Sequence, residues 1–479
     1  MATSQTAVFR HVVGDHMGSP PVQVGDDAVA GEIVRQLRER RASAAVILSQ
    51  FGKLIGIVTE QDMVRRFTDV DQGVARLMSS PVLTVRQDDP LYRAIGFMRR
   101  SRLRHMPVVD QGGVLVGLLE LHEALAVAAG PLVDDIDRLT HEHDLEGLAE
   151  VKAAQIRLAE RLLADGVAPP EVQALLADIN NDIHRRVLDL LLDELGPPPV
   201  PFACIVMGSG GRGESLLSPD QDNGFLLADY PDERHGEIDP WFVMLAERFT
   251  ATLDGLGFPL CRGGVMATNP VWRKTLSQWR AQLAHWMRGR VPETLLNCEI
   301  LFDFRLVWGD PALADALREH ATTAAQRDHR FQMLMFGLMG AHRAGIGLFG
   351  RLQTERENEA RRGEIDLKLF GTLPLVEAVR LLALMRGIAA TGTLARIDEL
   401  ESVAILSRDD ADRLRAAFAL LTGLQLRQQL ADHRMDVPPG TFVDPRDLTG
   451  RELELVRSGL RAINDFRAGL RAELTGSLL

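Results

Sequence analysis

The sequence predicts a multidomain protein, α/β in two regions and all-α in two others. Three observations carry this. Residues 8–128 contain an internal repeat of short apolar strands and helices. Residues 133–196 place apolar side chains at helical spacing and stop at Gly196-Pro197-Pro198-Pro199. Residues 197–318 open on a strand, a glycine-rich turn and a second strand, and residues 321–479 then read as helices only.

In the repeat, the first copy runs from His16-Met17 through Pro21-Val22-Gln23-Val24, a helix near 28–38, and strands at 45–48 and 55–58. The second runs from Met78 through Pro81-Val82-Leu83-Thr84-Val85, a helix near 91–99, and strands at 107–109 and 114–119. Each copy reads strand, helix, strand, strand, helix. The first copy ends Gly56-Ile57-Val58-Thr59-Glu60-Gln61-Asp62, the second Gly117-Leu118-Leu119-Glu120-Leu121-His122-Glu123. On this pattern the region resembles a CBS-domain pair. The resemblance implies adenosine-nucleotide binding (AMP, ADP or ATP) at Thr59 and Asp62, and a homodimer. The chemistry suits those residue types. A carboxylate accepts from both ribose hydroxyls, and a Thr hydroxyl at a helix start reaches phosphate. The second copy departs from the pattern, with Glu120 and Glu123 at the matching positions. Glu120 would repel phosphate, so one competent site at most is expected. The alternative is a purely structural repeat, with Thr59 a helix cap and Asp62 a solvated first-turn acid.

The helical stretch that follows carries Val172, Leu175, Leu176, Ile179, Ile183, Val187, Leu190 and Leu191 on one face. His141 and His143 lie upstream in a charged segment. Residues two apart on a helix point to different faces, which argues against a shared metal.

The next region supplies the chemistry. A strand at 202–207 leads into Gly208-Ser209-Gly210-Gly211-Arg212-Gly213-Glu214. Glycines let backbone amides approach a phosphate; Ser209 adds a hydroxyl and Arg212 a cation. No Gly-Lys-Ser/Thr follows, so this is not a P-loop. The glycine spacing also differs from a dinucleotide-binding fingerprint, and no clear helix opens on the turn. Asp220-Gln221-Asp222 then precedes a strand at 224–228. In extended chain both carboxylates face one way, a geometry that can hold one or two magnesium (or manganese) ions against a triphosphate. An amphipathic helix is expected at 241–256 and a further strand at 264–267. After Asn269-Pro270 a helix is expected to carry Trp272, Trp279 and Trp286 on one face as core.

At these residues the chain is similar to the nucleotidyltransferase superfamily of the DNA polymerase β type, and most to PII-protein uridylyltransferases and glutamine synthetase adenylyltransferases. Over almost its full length it resembles a bacterial family that joins CBS domains to this fold. Residues 207–214, 220–224, 265–273, 302–310 and 365–384 carry the likeness. The resemblance implies a CBS pair (8–128), a helical linker (133–196), a polymerase β-like nucleotidyltransferase domain (197–318) and a helical C-terminal substrate-binding domain (321–479). It implies transfer of a nucleoside monophosphate from a nucleoside triphosphate to a hydroxyl, with a PII-like regulatory protein as acceptor. Gly208, Ser209 and Gly210 would hold the donor phosphates, and Asp220 and Asp222 the metal. Arg212 would stabilise phosphate charge and Glu214 position it. Lys368, in an Asp366-x-Lys368 motif, would touch the triphosphate or close a domain interface; its alternative is an ion pair with Asp366. The superfamily commonly uses a third carboxylate on a later strand, and residues 264–269 contain none. Glu299 and Asp303 are nearby without clear equivalence. The alternative function is therefore a non-catalytic nucleotide sensor that signals through its helical domain.

Composition narrows the partners. The 479-residue chain has net charge -12 and a pI near 5.6, against any nucleic-acid affinity that rests on a general basic field. Cys204, Cys261 and Cys298 lack metal-ligand spacing and read as reduced thiols. No apolar leader is present, and no uncharged helical run approaches the roughly 20 residues of a membrane span. A cytoplasmic protein without a membrane partner is expected.

Overall fold

The computed structural model describes residues 12–475, apart from 21, 41, 60, 61, 64, 65, 68, 102, 122, 123, 125–143, 165, 290, 341, 342, 348 and 349. Glu123, His141 and His143 thus lie outside the described residues. The chain divides into two units, Met1–Glu142 and His143–Leu479.

In the first unit one copy contributes β1 (Gln23–Gly25), α1 (Ala30–Arg40), β2 (Ala44–Leu48) and β3 (Leu54–Thr59). The other contributes β4 (Val85–Arg86), α2 (Leu91–Arg100), β5 (His105–Val109) and β6 (Leu115–Glu120). Each forms a three-stranded sheet, β1-β2-β3 and β4-β5-β6, with one parallel and one antiparallel pair. A parallel pair needs a crossover, and α1 supplies it by burying Ala30, Ile33 and Leu37 along one stripe. The copies interlock reciprocally. Gly18 exchanges both backbone hydrogen bonds with Leu118 on β6, and Ser79 does the same with Ile57 on β3. Gly56 and Gly117 make room for this: a Cβ there would sit 2.3 Å from Met78 Sδ and 2.4 Å from Met17 Sδ.

The second unit begins with α3 (Leu145–Ala164) and α4 (Pro169–Leu195). A sheet follows: β7 (Phe202–Val206), α5 (Gly208–Arg212), β8 (Asn223–Leu227), α6 (His235–Gly255), β9 (Arg273–Thr275), α7 (Leu276–Arg288), α8 (Pro292–Phe302) and β10 (Arg305–Gly309). Its order is β10-β7-β8-β9, parallel only between β8 and β9. Every residue of β7 and β8 is buried, as expected of central strands covered on both faces. Helix α4 covers one side, where His184 packs edge-on against Phe249 and Phe258.

Two expectations are corrected here. Residues 264–267 are not a strand. Gly264 turns the chain at φ +67°, and the segment is held beside β8 by Val265 O and by Asn223 Oδ1, which accepts from Ala267 N. The strand next to β8 is β9, and Trp272 lies in the 3-10 turn before it instead of on the helix. Trp279 and Trp286 do lie on α7, and the three rings pack within 5.5–6.4 Å of one another as core.

The rest is a helical layer: α9 (Pro311–Arg327), α10 (His329–Met339), α11 (Leu373–Met385), α12 (Thr393–Ser402), α13 (Arg408–Arg434) and α14 (Gly450–Thr475). Helix α11 is buried on all sides from Pro374 to Leu384, so it forms the centre of this layer. The helices-only expectation is corrected by a two-stranded antiparallel ribbon, β11 (Ile365–Asp366) with β12 (Phe442–Val443), too short to show periodicity. Among the described residues no helix is long and apolar enough to cross a membrane.

Candidate active site

Strand β7 runs into the glycine turn, and the turn returns to β8. The link is tight: Met207 N donates to Asp222 O at 2.8 Å. The turn is a single helical turn, α5, closed by left-handed Gly213, which corrects the expectation that no helix opens there. Its first amides, those of Gly208, Ser209 and Gly210, have no acceptor within the helix. Two glycines are required by geometry. Gly208 has φ +58°, and a Cβ on it would lie 2.7 Å from Asp222 Oδ2. A Cβ on Gly211 would lie 1.8 Å from Asp303 O and 2.7 Å from Val206 O.

The Asp-x-Asp segment alternates as extended chain should. Gln221 points inward, fully buried, and its Nε2 donates to Thr250 O and Phe258 O. Asp220 and Asp222 point the other way. Their carboxylate oxygens and Cys261 Sγ all lie within 4.8 Å of one another. Burial, then the charge of Asp220, pushes Asp222 up to about 6; a hydrogen bond from Cys261 and the charges of Lys368 and Arg212 pull it down. Burial and the neighbouring Asp222 push the Cys261 thiol up to about 11, so it stands as a donor. Two carboxylates this close, with Asp222 raised by burial and by the charge of Asp220, form a fitting seat for a hard divalent cation. Carboxylate oxygens suit magnesium or manganese, whereas a thiol does not. Cys261 was missed in the sequence because it lies far along the chain from Asp222. β9 offers no third acid: it carries Arg273, paired with Asp239 at 3.0 Å, and Lys274.

Asp303, at the end of α8, has another role. Its fully buried carboxylate accepts from Arg212 Nη1 at 2.9 Å and Arg380 Nε at 3.0 Å, and forms an ion pair with Arg396 Nη2 at 2.7 Å. Burial alone would raise its pKa. The guanidiniums of Arg380, Arg396 and Arg212 outweigh that and hold it well below the usual carboxylate range. Glu299 pairs with Arg380 at 3.4 Å. Glu214 accepts from Arg212 Nε at 2.6 Å and from Thr393 N at 2.6 Å, and Thr391 Oγ1 donates to Gly211 O. Arg380 and Arg396 come from α11 and α12, so the helical layer grips the glycine turn directly. Arg212 and Glu214 are thus engaged in this network as well as facing the cleft.

A cleft of about 290 Å³ lies between the sheet and the helical layer. Ser209, Arg212, Glu214, Asp220 and Lys368, five of the residues singled out in the sequence, line it together. Lys368 starts a π turn, Lys368–Thr372, whose entry is fixed by Asp366. Asp366 Oδ1 accepts from the amides of Lys368 and Leu369 and from Thr441 Oγ1. The Lys368 ammonium is exposed at the cleft, and its charge acts on Asp222.

In the first unit, Thr59 and Asp62 face each other. Asp62 Oδ2 accepts from Thr59 N at 3.0 Å and Thr59 Oγ1 at 2.7 Å, and Thr59 Oγ1 accepts from Asp62 N at 3.2 Å. Ser79 Oγ donates to Asp62 Oδ1 at 3.2 Å. The pair is a reciprocal helix cap. Glu120 ends β6, opposite His105.

Comparison with known proteins follows this architecture. Residues 153–293 match the family described as "Putative nucleotidyltransferase DUF294", and residues 329–474 match its "Putative nucleotidyltransferase substrate binding domain". Residues 13–69 and 74–130 each match the CBS domain. Among curated relatives, the uncharacterized protein MK0525 of Methanopyrus kandleri is 34% identical over 103 residues, 20% of this chain and 53% of that protein. The inosine-5'-monophosphate dehydrogenase of Mycobacterium bovis is 29% identical over 180 residues, 36% of this chain and 32% of that enzyme. The chain thus spans less than two thirds of the length of the curated relatives it matches. Among solved structures, the CBS domain protein PAE2072 from Pyrobaculum aerophilum, complexed with AMP, is 28% identical, covers 25% of this chain and 98% of its own, and has a TM-score of 0.24. The chain therefore joins a CBS-domain pair to segments that match the DUF294 nucleotidyltransferase family and that family's substrate-binding domain.

Proposed function

We propose that the chain is a magnesium- or manganese-dependent nucleotidyltransferase that moves a nucleoside monophosphate from a nucleoside triphosphate to a hydroxyl of a protein acceptor, breaking the α–β phosphoanhydride bond and releasing pyrophosphate. The carrying observation is that Asp220 lines a cleft together with Ser209 and Lys368, while Asp222, behind it, brings its carboxylate within 4.8 Å of that of Asp220 and feels the charge of Lys368. A cation held by the two carboxylates neutralises triphosphate charge. Ser209 and the first amides of the turn, those of Gly208, Ser209 and Gly210, bind phosphate oxygens, and Lys368 closes on them from the helical layer. The Asp303 network holds the turn in place before substrate arrives, which is the preorganisation such a site needs. Among the described residues no third carboxylate joins the pair. The acceptor hydroxyl therefore gives its proton to its own neighbours or to solvent. In this reading the CBS pair binds an adenine nucleotide through Thr59 and Asp62, opening the reciprocal cap, and mediates homodimerisation. The acceptor is a regulatory protein of the PII type, in the cytoplasm.

A second reading has one observation in its favour. β9 sets Arg273 and Lys274 where a third acid would stand, which suits a sensor that binds nucleotide without transferring it. Incubation of the full chain with each labelled triphosphate, magnesium and a cell lysate separates the two. Label transferred to protein by the wild type but not by Asp220→Ala or Asp222→Ala supports the enzyme. Tight nucleotide binding with neither transfer nor pyrophosphate, for any triphosphate, refutes it and leaves the sensor.

A further inference from the structure

The second unit carries a larger cleft, of about 1130 Å³, on the far side of the Lys368–Thr372 π turn. Phe370 lines this cleft, while Lys368 and Thr372 line the smaller one. Its walls bring together α10, the loop after it and α14. Five arginines, among them Arg343, Arg351, Arg467 and Arg471, stand against two glutamates. One of those, Glu355, turns its carboxylate onto its own loop, where it accepts from the amides of Arg356, Glu357 and Asn358. The wall is fixed from behind: buried Arg467 donates to Met339 O, and Asn464 to Ala344 O. Between the arginines the floor is apolar, with Phe336 and Phe370.

On a chain of net charge -12, such a surplus of cations is local and specific. An acidic partner is repelled by the general surface and attracted here. Pockets for small molecules run to about 300–1,000 Å³, and this cleft exceeds that range. Its cations are spread over three elements instead of converging on one point, which fits an extended ligand better than a single phosphate. We propose that this cleft docks an acidic, part-apolar peptide segment of the acceptor protein, delivering its hydroxyl past the π turn to Lys368 and the Asp220–Asp222 pair. The proposal rests on the reading of the chain as a transferase acting on a protein.

The test is fluorescence anisotropy on the full chain with a labelled nonapeptide built of Glu, Phe and Leu, beside the same peptide with Gln for Glu. Arg343 and Arg471 are exposed, so Arg343→Glu/Arg471→Glu is expected to fold, checked by an unchanged thermal midpoint. The acidic peptide should bind, the Gln peptide should bind at least several-fold more weakly, and the double reversal should cost on the order of 10-fold or more, salt-sensitively. No binding, equal binding of both peptides, or binding indifferent to the reversal overturns the proposal. Complete displacement by micromolar pyrophosphate also overturns it, in favour of a small-anion site. Manganese binding is measured in parallel. Its loss from wild type would sink the transferase reading while leaving the peptide result to stand by itself, so the two failures are distinguishable.

Discussion

Asp303→Asn is the perturbation with the most calculable outcome. The change is nearly isosteric, yet it removes the one negative charge on which Arg212, Arg380 and Arg396 converge inside a fully buried site. Glu214 and Glu299 still answer Arg212 and Arg380, but Arg396 loses its carboxylate partner. Removing one partner of a buried ion pair costs about 3–5 kcal/mol, because the remaining charge stays desolvated. Burial of Asp303, which would raise its pKa, is outweighed by the three arginines, so the folded pKa lies below the unfolded one. For such a depressed acid the stabilisation is complete above the unfolded value, about 3.9, and is lost only as pH falls through the folded value. The wild-type–variant gap should therefore be flat from pH 5 to 8. Urea unfolding followed by far-UV circular dichroism measures it, and the transition of the His143–Leu479 unit should also fall by roughly 4–7 °C. A gap below 1 kcal/mol, or one that closes between pH 5 and 8, would refute the account of this network.

Gly211→Ala places a methyl 1.8 Å from Asp303 O, a backbone atom that cannot step aside, so a loss of more than about 2 kcal/mol is expected in the same unfolding assay. A loss under 0.5 kcal/mol would contradict the geometry. Gly208→Ala should act on the cation instead: it strains φ +58° and crowds Asp222 Oδ2, so manganese affinity should fall at least several-fold, and unchanged binding by paramagnetic resonance would count against it. Lys152, lowered by burial from 10.5 to about 7, binds one proton fewer when folded across that window, so folding stability rises with pH from 7 towards 10. Lys152→Met should flatten that rise by up to about 4 kcal/mol, and identical pH slopes in the two proteins would show the lysine to be ordinarily solvated. Asp62→Ala should cost about 1 kcal/mol as a lost cap and abolish calorimetric binding of AMP, ADP or ATP; equal affinity in both proteins removes Asp62 from that site.

What the sequence made legible followed from short-range rules. Gly208, Ser209, Asp220 and Asp222 were readable because strand, turn and strand are contiguous, and alternation alone sends Gln221 inward and both acids outward. The duplicated N-terminal pattern was readable for the same reason. Non-local placement was not. β10 lies beside β7 across about a hundred residues, and the arginines on Asp303 come from three separate elements. No spacing rule connects them. Residues 264–267 read as a strand from their apolar run, but the side chain of Asn223 holds them outside the ladder, and the short basic stretch Arg273–Thr275 takes the sheet position. Cys261 looked like an inert thiol because nothing in sequence joins it to Asp222. Arg212 and Glu214 read as phosphate-facing residues; the structure adds their second engagement with Asp303 and Thr393.

In the proposed reading Asp220 and Asp222 form a cation–triphosphate seat. Manganese titration by paramagnetic resonance, with and without a non-hydrolysable triphosphate, tests it directly on the full chain and on Asp222→Asn. The wild type should bind manganese more tightly when the triphosphate is present, and Asp222→Asn should lose at least about 10-fold of that affinity, consistent with the 1.5–3 kcal/mol typical of a charged contact. Equal binding in the two proteins, or manganese binding indifferent to the triphosphate, would contradict it.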